Sequence, residues 1–158
     1  MPQIEELACG PPHEVAVENA YRKATAVCDQ GVDAAVLGVD TVVTLGGRIY
    51  DKPADRDQAR ATLEALSGRR HGVVGGLCLI ASDGRPRTAA ATTAVTFRAL
   101  DARLLEWYLD TGEWRERAGA YAIQGRGAAL VKSIEGDYLN VVGLPVGVLL
   151  ELEPGLVG

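Results

Sequence analysis

A few polar residues in this chain stand where a charge is costly to keep or where an amide is oddly placed. Asp40 interrupts the apolar, β-branched run AAVLGVDTVVTL at residues 34–45. A carboxylate withdrawn from water needs a partner or a task. It either closes a strand end, capping a turn or pairing with an arginine, or it stands at the mouth of a sheet to hold a metal ion or activate a water. Thr41 follows it directly. Lys52 belongs to a DKP sequence, where Pro53 limits the loop. A fixed lysine suits a phosphate group as a compact cation with three donors, and it is equally at home as a solvated loop residue. Lys23 lies beside the apolar stripe of a helix, from which it can reach inward or snorkel to water. Glu5 and Glu6 form an early acidic pair, either a frayed end or a source of one carboxylate that complements Asp40. Mg²⁺ sites usually take one or two protein carboxylates and leave the rest of the shell to water and phosphate. Gln124, in YAIQG, carries a primary amide that both donates and accepts, fit for a base edge or for its own loop backbone.

The elements that must position these residues follow from periodicity. Residues 13–30 repeat as an amphipathic helix, with Val17, Ala20, Tyr21, Ala24, Val27 and Cys28 on one face and Gly31 as its stop. The run 34–45 predicts a buried strand, and Gly46-Gly47 a turn into the short return strand RIY. A second helix covers about 55–67, with Ala59, Thr62, Leu63 and Leu66 inward. Residues 71–81 and 87–98 predict two strands joined by a turn at Ser82–Arg85; TTAVTF alternates with period two. A third helix runs from Asp101 as N-cap to Thr111, with Leu104, Leu105 and Tyr108 inward. Residues 119–134 predict two strands broken by Gly125-Arg126-Gly127, and Pro145 opens a last helix to about Leu152. Mixed helices and strands with a central hairpin predict an α/β domain with a mixed sheet.

Composition narrows the possible roles. The 158 residues carry a net charge of −5, with 16 Lys and Arg against 21 Asp and Glu, which argues against a nucleic-acid binder needing a basic face. No apolar run approaches the ~20 residues of a membrane helix, and the start shows no basic region followed by an apolar stretch. A cytoplasmic location is the expectation. Cys9, Cys28 and Cys78 have no metal-ligand spacing and read as free thiols. His13 and His71 are the only histidines, so a multi-histidine metal site is excluded, and His71 reads as a packing residue. GRGA at 125–128 is neither a P-loop nor a dinucleotide fingerprint.

Taken singly, each polar residue has an ordinary structural explanation. Their order along the chain is more specific. NAYRKA (19–24), LGVDTVV (37–43), DKP (51–53), LEALSGRRH (63–71), VTFRAL (95–100), TGEW (111–114), AGAYAIQGRGA (118–128) and IEGDYLNVVGLP (134–145) together resemble the Maf family, from about residue 5 to the C-terminus. The resemblance implies an ITPase-like α/β fold, with a mixed twisted sheet flanked by helices in one domain spanning 1–158. It implies hydrolysis of a nucleoside triphosphate to the monophosphate and pyrophosphate, with a divalent cation, Mg²⁺ or Mn²⁺. On this chain it marks Asp40 as the catalytic aspartate, Thr41 and Gln124 as positions tied to substrate choice, Lys23 and Lys52 as lysines near the phosphates, and Glu6 with Asp40 as metal carboxylates. The wording of AYAIQGRGAALV and GDYLNVVGLP is similar to the branch acting on dTTP and UTP. The sister branch, acting on methylated GTP, carries glutamate where Gln124 stands. A homodimer is also implied. The family's opening strand, loop and helix, roughly LASxSPRR, is absent ahead of MPQIEEL, with a mis-called or truncated start as the expected cause. GEW replaces the commoner GEP, and Arg117 stands where lysine is more usual. The competing expectation is a nucleotide-binding or interaction module without turnover, linked to septum formation.

Overall fold

The structure is a computed structural model that describes residues 3–158. Helix α1 (Pro12–Cys28) precedes strands β1 (Val36–Leu45) and β2 (Arg48–Tyr50), helix α2 (Arg56–Leu66), and strands β3 (Arg70–Ile80) and β4 (Pro86–Phe97). Helix α3 (Ala102–Asp110), strand β5 (Val131–Glu135) and the short helices α4 (Tyr138–Val142) and α5 (Val146–Leu152) complete it. The sheet order is β2-β1-β3-β4-β5. The expected α/β layering is present, and every pairing within the sheet is antiparallel. β2 pairs only with residues 43–45 of β1. Among the described residues, the edge of β1 over Val36–Val42 therefore has no strand beside it.

The two faces of the sheet are covered differently. On one face lies the main core, where Val43, His71, Val73, Val95 and Phe97 meet Leu63 and Leu66 of α2, Leu105, Tyr108 and Leu109 of α3, and Trp114, Ile123 and Leu130. Asp55 and Asp101 cap α2 and α3, accepting from the Gln58 and Leu104 amides at 2.8 Å each, as the N-cap preference predicts. On the other face α1 lies directly on β1 and β3. A Cβ on Gly38 would collide with the Ala20 carbonyl oxygen, and one on Gly76 with that of Ala16. Only glycine at those two positions lets the helix backbone come so close.

Two expectations are corrected here. The buried stripe of α1 is Val15, Ala16, Asn19, Ala20 and Ala24, while Tyr21 is exposed. The stripe is rotated because a polar residue, Asn19, belongs to it. Residues 119–124 are not a strand. They follow a 3₁₀ turn at Ala118–Ala120 in which Gly119 (φ 71°) and Ala120 (φ 65°) take left-handed backbone, which no strand accommodates. Gly119 is pressed against Val43, where a Cβ would fall 2.8 Å from the nearest methyl. Helix α4 lies where the sequence pattern shows no helix. No helix among the described residues is long and apolar enough to cross a membrane.

Candidate active site

Asp40 is the centre of the site, and strand alternation explains its burial. It falls on the α1 face between Gly38 and Val42, opposite Gly76 in the β1–β3 register. Because Gly76 admits α1 at close range, Asn19 and Lys23, one turn apart on the helix, both reach Asp40. Lys23 Nζ donates to Asp40 Oδ1 at 2.8 Å and to the Val39 carbonyl at 3.3 Å. Asn19 Nδ2 donates to Asp40 Oδ2 at 3.4 Å. The Asp40 side chain is 11% exposed. Burial holds its carboxyl above the ordinary range, and the Lys23 hydrogen bond and charge pull it back only in part. Burial also works against the Lys23 charge, but Asp40 and then Glu6 outweigh it, so the ammonium titrates above its usual value.

Glu6 arrives by a different route. Its carboxylate lies 3.3 Å from Lys23 Nζ, so one ammonium is held between two acidic side chains. Asn19 organises this approach: its Oδ1 accepts from the Leu7 amide at 2.6 Å and its Nδ2 donates to the Leu7 carbonyl at 3.0 Å. The amide thus clamps the N-terminal segment to α1, directly beside Glu6. Asn19 was not singled out in the sequence, where an asparagine inside a helical stripe looks like a surface position.

Asp40, Thr41, Lys23, Lys52 and Gln124 line one cleft of about 200 Å³, beside the open edge of β1. Successive strand residues point to opposite faces, so Asp40 and Thr41 approach it from the two sides of that edge. The far wall comes from Glu116, Arg117, Ala118, Tyr121 and Ala122, and the rim from Val141 to Gly143 of α4. Glu5 is not among the lining residues. A narrow adjoining crevice shares Asp40, Thr41 and Lys52 and includes Glu6, so all the residues singled out as catalytic, phosphate-facing or base-reading meet in one place. The two non-glycine residues with positive φ among the described residues both belong to this segment: Glu116 (58°) lines the cleft, and Ala120 (65°) is buried behind the lining. Strained backbone of this kind persists where the surroundings enforce it, often at functional sites. Arg117 stands between them, facing the cleft, and makes no ion pair among the described residues.

Support for these walls lies one layer deeper. The Tyr121 hydroxyl lies 2.8 Å from His71 Nε2. His71 is 2% exposed, and burial pushes its ring down to about 4, in keeping with a packing role. Asn140, at the centre of α4, is fully buried and donates to the Val73 and Ala91 carbonyls and to Thr93 Oγ1, at 3.1, 3.2 and 3.1 Å. This pins α4, and with it the Val141–Gly143 rim, to the sheet. Gly75 leaves room for Asn140: a Cβ there would collide with its Oδ1.

An α/β sheet with an acidic residue at an open strand edge, paired with one lysine and sharing a polar cleft with a second, is the frame of a phosphate-handling enzyme. The family known as Maf-like protein matches residues 1–153, and the chain belongs to it. It is 47% identical over 141 residues to a dTTP/UTP pyrophosphatase of Pyrococcus furiosus, covering 89% of this chain and 74% of that one. It is 45% identical over 150 residues to a dTTP/UTP pyrophosphatase of Thermococcus kodakarensis, covering 94% and 79%. A dTTP/UTP pyrophosphatase of Symbiobacterium thermophilum is 45% identical over 148 residues, covering 92% and 76%.

Proposed function

We propose that this protein hydrolyses dTTP and UTP to the nucleoside monophosphate and pyrophosphate. The observation that carries the reading is the convergence of Asp40, Lys23, Lys52, Thr41 and Gln124 on one cleft, in a chain whose relatives bear the name of that activity. Asp40 accepts the proton of a water whose oxygen attacks the α-phosphorus. The bond from that phosphorus to the bridging oxygen breaks, and pyrophosphate leaves. A carboxyl held above its ordinary range is a better base near neutrality than a solvated one. Lys23 keeps Asp40 oriented. Lys52 and Arg117 offset charge on the phosphate chain and on the leaving pyrophosphate. Thr41 and Gln124 sort the bases.

The donor set suits a divalent cation. Asp40 and Glu6 are hard oxygen donors that already converge on one cation, the Lys23 ammonium, and phosphate and water complete such a shell. Asp40 and Glu6 would hold Mg²⁺ or Mn²⁺, which supplies charge neutralisation at the phosphates when bound. Pyrophosphate release from dTTP and UTP, with Mg²⁺ or Mn²⁺ present, tests the reading. No turnover above an Asp40→Asn control would overturn it. The dimeric state implied by the resemblance is tested by light scattering, where the mass of a single chain would rule it out.

A further inference from the structure

The loop that carries Gln124 is held at both ends by one pair of side chains. Glu113, just beyond α3, accepts through Oε1 from the Gly127 amide at 2.9 Å and through Oε2 from the Arg126 amide at 3.0 Å. Its Oε1 also accepts from the Tyr108 hydroxyl at 3.0 Å. That hydroxyl in turn accepts from the Ala122 amide at 3.0 Å. The pair therefore grips residue 122 on one side of Gln124 and residues 126–127 on the other. Gly125 lies against the carboxylate, where a Cβ would fall 2.6 Å from Oε2. Tyr108 is fully buried, so its hydroxyl is a fixed point. Gln124 itself is exposed and makes no hydrogen bond among the described residues that would orient its amide. Its place in the cleft rests on the backbone beneath it.

We infer that Glu113, working through Tyr108, is a positioning residue that sets where the Gln124 amide meets the base, and so governs discrimination among nucleotides. The inference deepens the function proposed above and rests on it. Glu113 does not line the cleft, so it acts through the loop. Burial disfavours its charge, but the Gly127 and Arg126 amides and the Tyr108 hydroxyl outweigh this and keep the carboxyl below its ordinary range. An ionised carboxylate accepts all three hydrogen bonds at once; a neutral amide offers one acceptor oxygen and turns donors toward amides that are themselves donors.

The test compares Glu113→Gln and Tyr108→Phe with the unmodified protein, taking kcat/KM for UTP, dTTP, CTP and GTP and the melting temperature of each. Expected is a fall of about tenfold in the ratio of preferred to disfavoured nucleotide in Glu113→Gln, carried mainly by KM, with a smaller loss in the same direction in Tyr108→Phe. A uniform fall for all four nucleotides, or a lower melting temperature with the ratio intact, would overturn the inference. Binding of the same nucleotides by calorimetry separates it from the parent reading. A protein that binds with preference but does not turn over loses the hydrolysis proposal alone, and the ratio of binding constants then reads the Glu113 effect. A protein without preference among bases overturns the inference.

Discussion

Lys23 Nζ lies 2.8 Å from Asp40 Oδ1 and 3.3 Å from Glu6 Oε1, so a single ammonium faces two carboxylates. Burial raises the Asp40 carboxyl and Lys23 lowers it part of the way back. If Asp40 acts as a base, activity is lost as pH falls through its folded value, and that value lies above the ordinary carboxylate range. The acid limb of kcat/KM against pH should therefore sit above that of a solvated aspartate. Lys23→Met removes the lowering influence and should move the limb to still higher pH, whereas Asp40→Asn should cost a hundredfold or more, on the order of a lost general base. A limb that stays put in Lys23→Met would separate Asp40 from the proton transfer.

Lys52 and Arg117 are the cleft cations without an ion-pair partner among the described residues. Replacing either by Met should raise KM for the triphosphate about tenfold with little change in melting temperature, since an exposed, unpaired cation adds little to the fold. Inhibition by pyrophosphate should weaken in step, while inhibition by the monophosphate should move less. Steady-state kinetics at two salt concentrations provides the check.

Burial depresses His71 from about 6.5 to about 4. Its folded value lies below its unfolded one, so the stability tied to the neutral ring is complete above the unfolded value. It declines through the interval and is gone below about 4. The expected loss between pH 7 and pH 4.5 is about 2–3 kcal/mol from this residue. Urea unfolding at the two pH values should show it, and His71→Phe should flatten the dependence in that interval.

Asn19→Ala leaves the amide and carbonyl of Leu7 without their partner. The expected cost is about 1–3 kcal/mol. Freed of its clamp, Glu6 should no longer be held beside Lys23. Urea unfolding and the Mg²⁺ or Mn²⁺ concentration giving half-maximal activity should both register the change.

Much of this site was legible because its residues break local rules. Asp40 is conspicuous as a charge in a buried strand, and Lys52 through the proline beside it. Lys23 could be placed at the edge of a helix stripe, though its pairing with Asp40 depends on how near α1 comes to the sheet, and that is set by Gly38 and Gly76 from distant strands. Asn19 and Asn140 escaped notice because a buried asparagine betrays itself only through partners remote in sequence. The segment AGAYAI alternates like a strand; its turn arises from packing of Gly119 on Val43, which overrides the pattern. Helix α4 has five residues, too few for periodicity, and depends on Asn140 reaching across to Val73 and Ala91. The Glu113 and Tyr108 grip joins residues 13 or 14 apart along the chain, through backbone amides that carry no residue identity.

The carbonyls of Ala16 and Ala20 rest over Gly76 and Gly38, four residues apart on the helix and on neighbouring strands. Two such seats fix α1 against both sliding and rolling, much as two dowels fix a plate. A slip of one residue would carry Lys23 about 1.5 Å along the axis and roughly 100° around it, away from Asp40. The alignment of the ion pair is thus keyed by main-chain atoms. A redesign can rewrite the solvent-facing side of α1 freely, while a single added methyl at either seat would disarm the site from a distance.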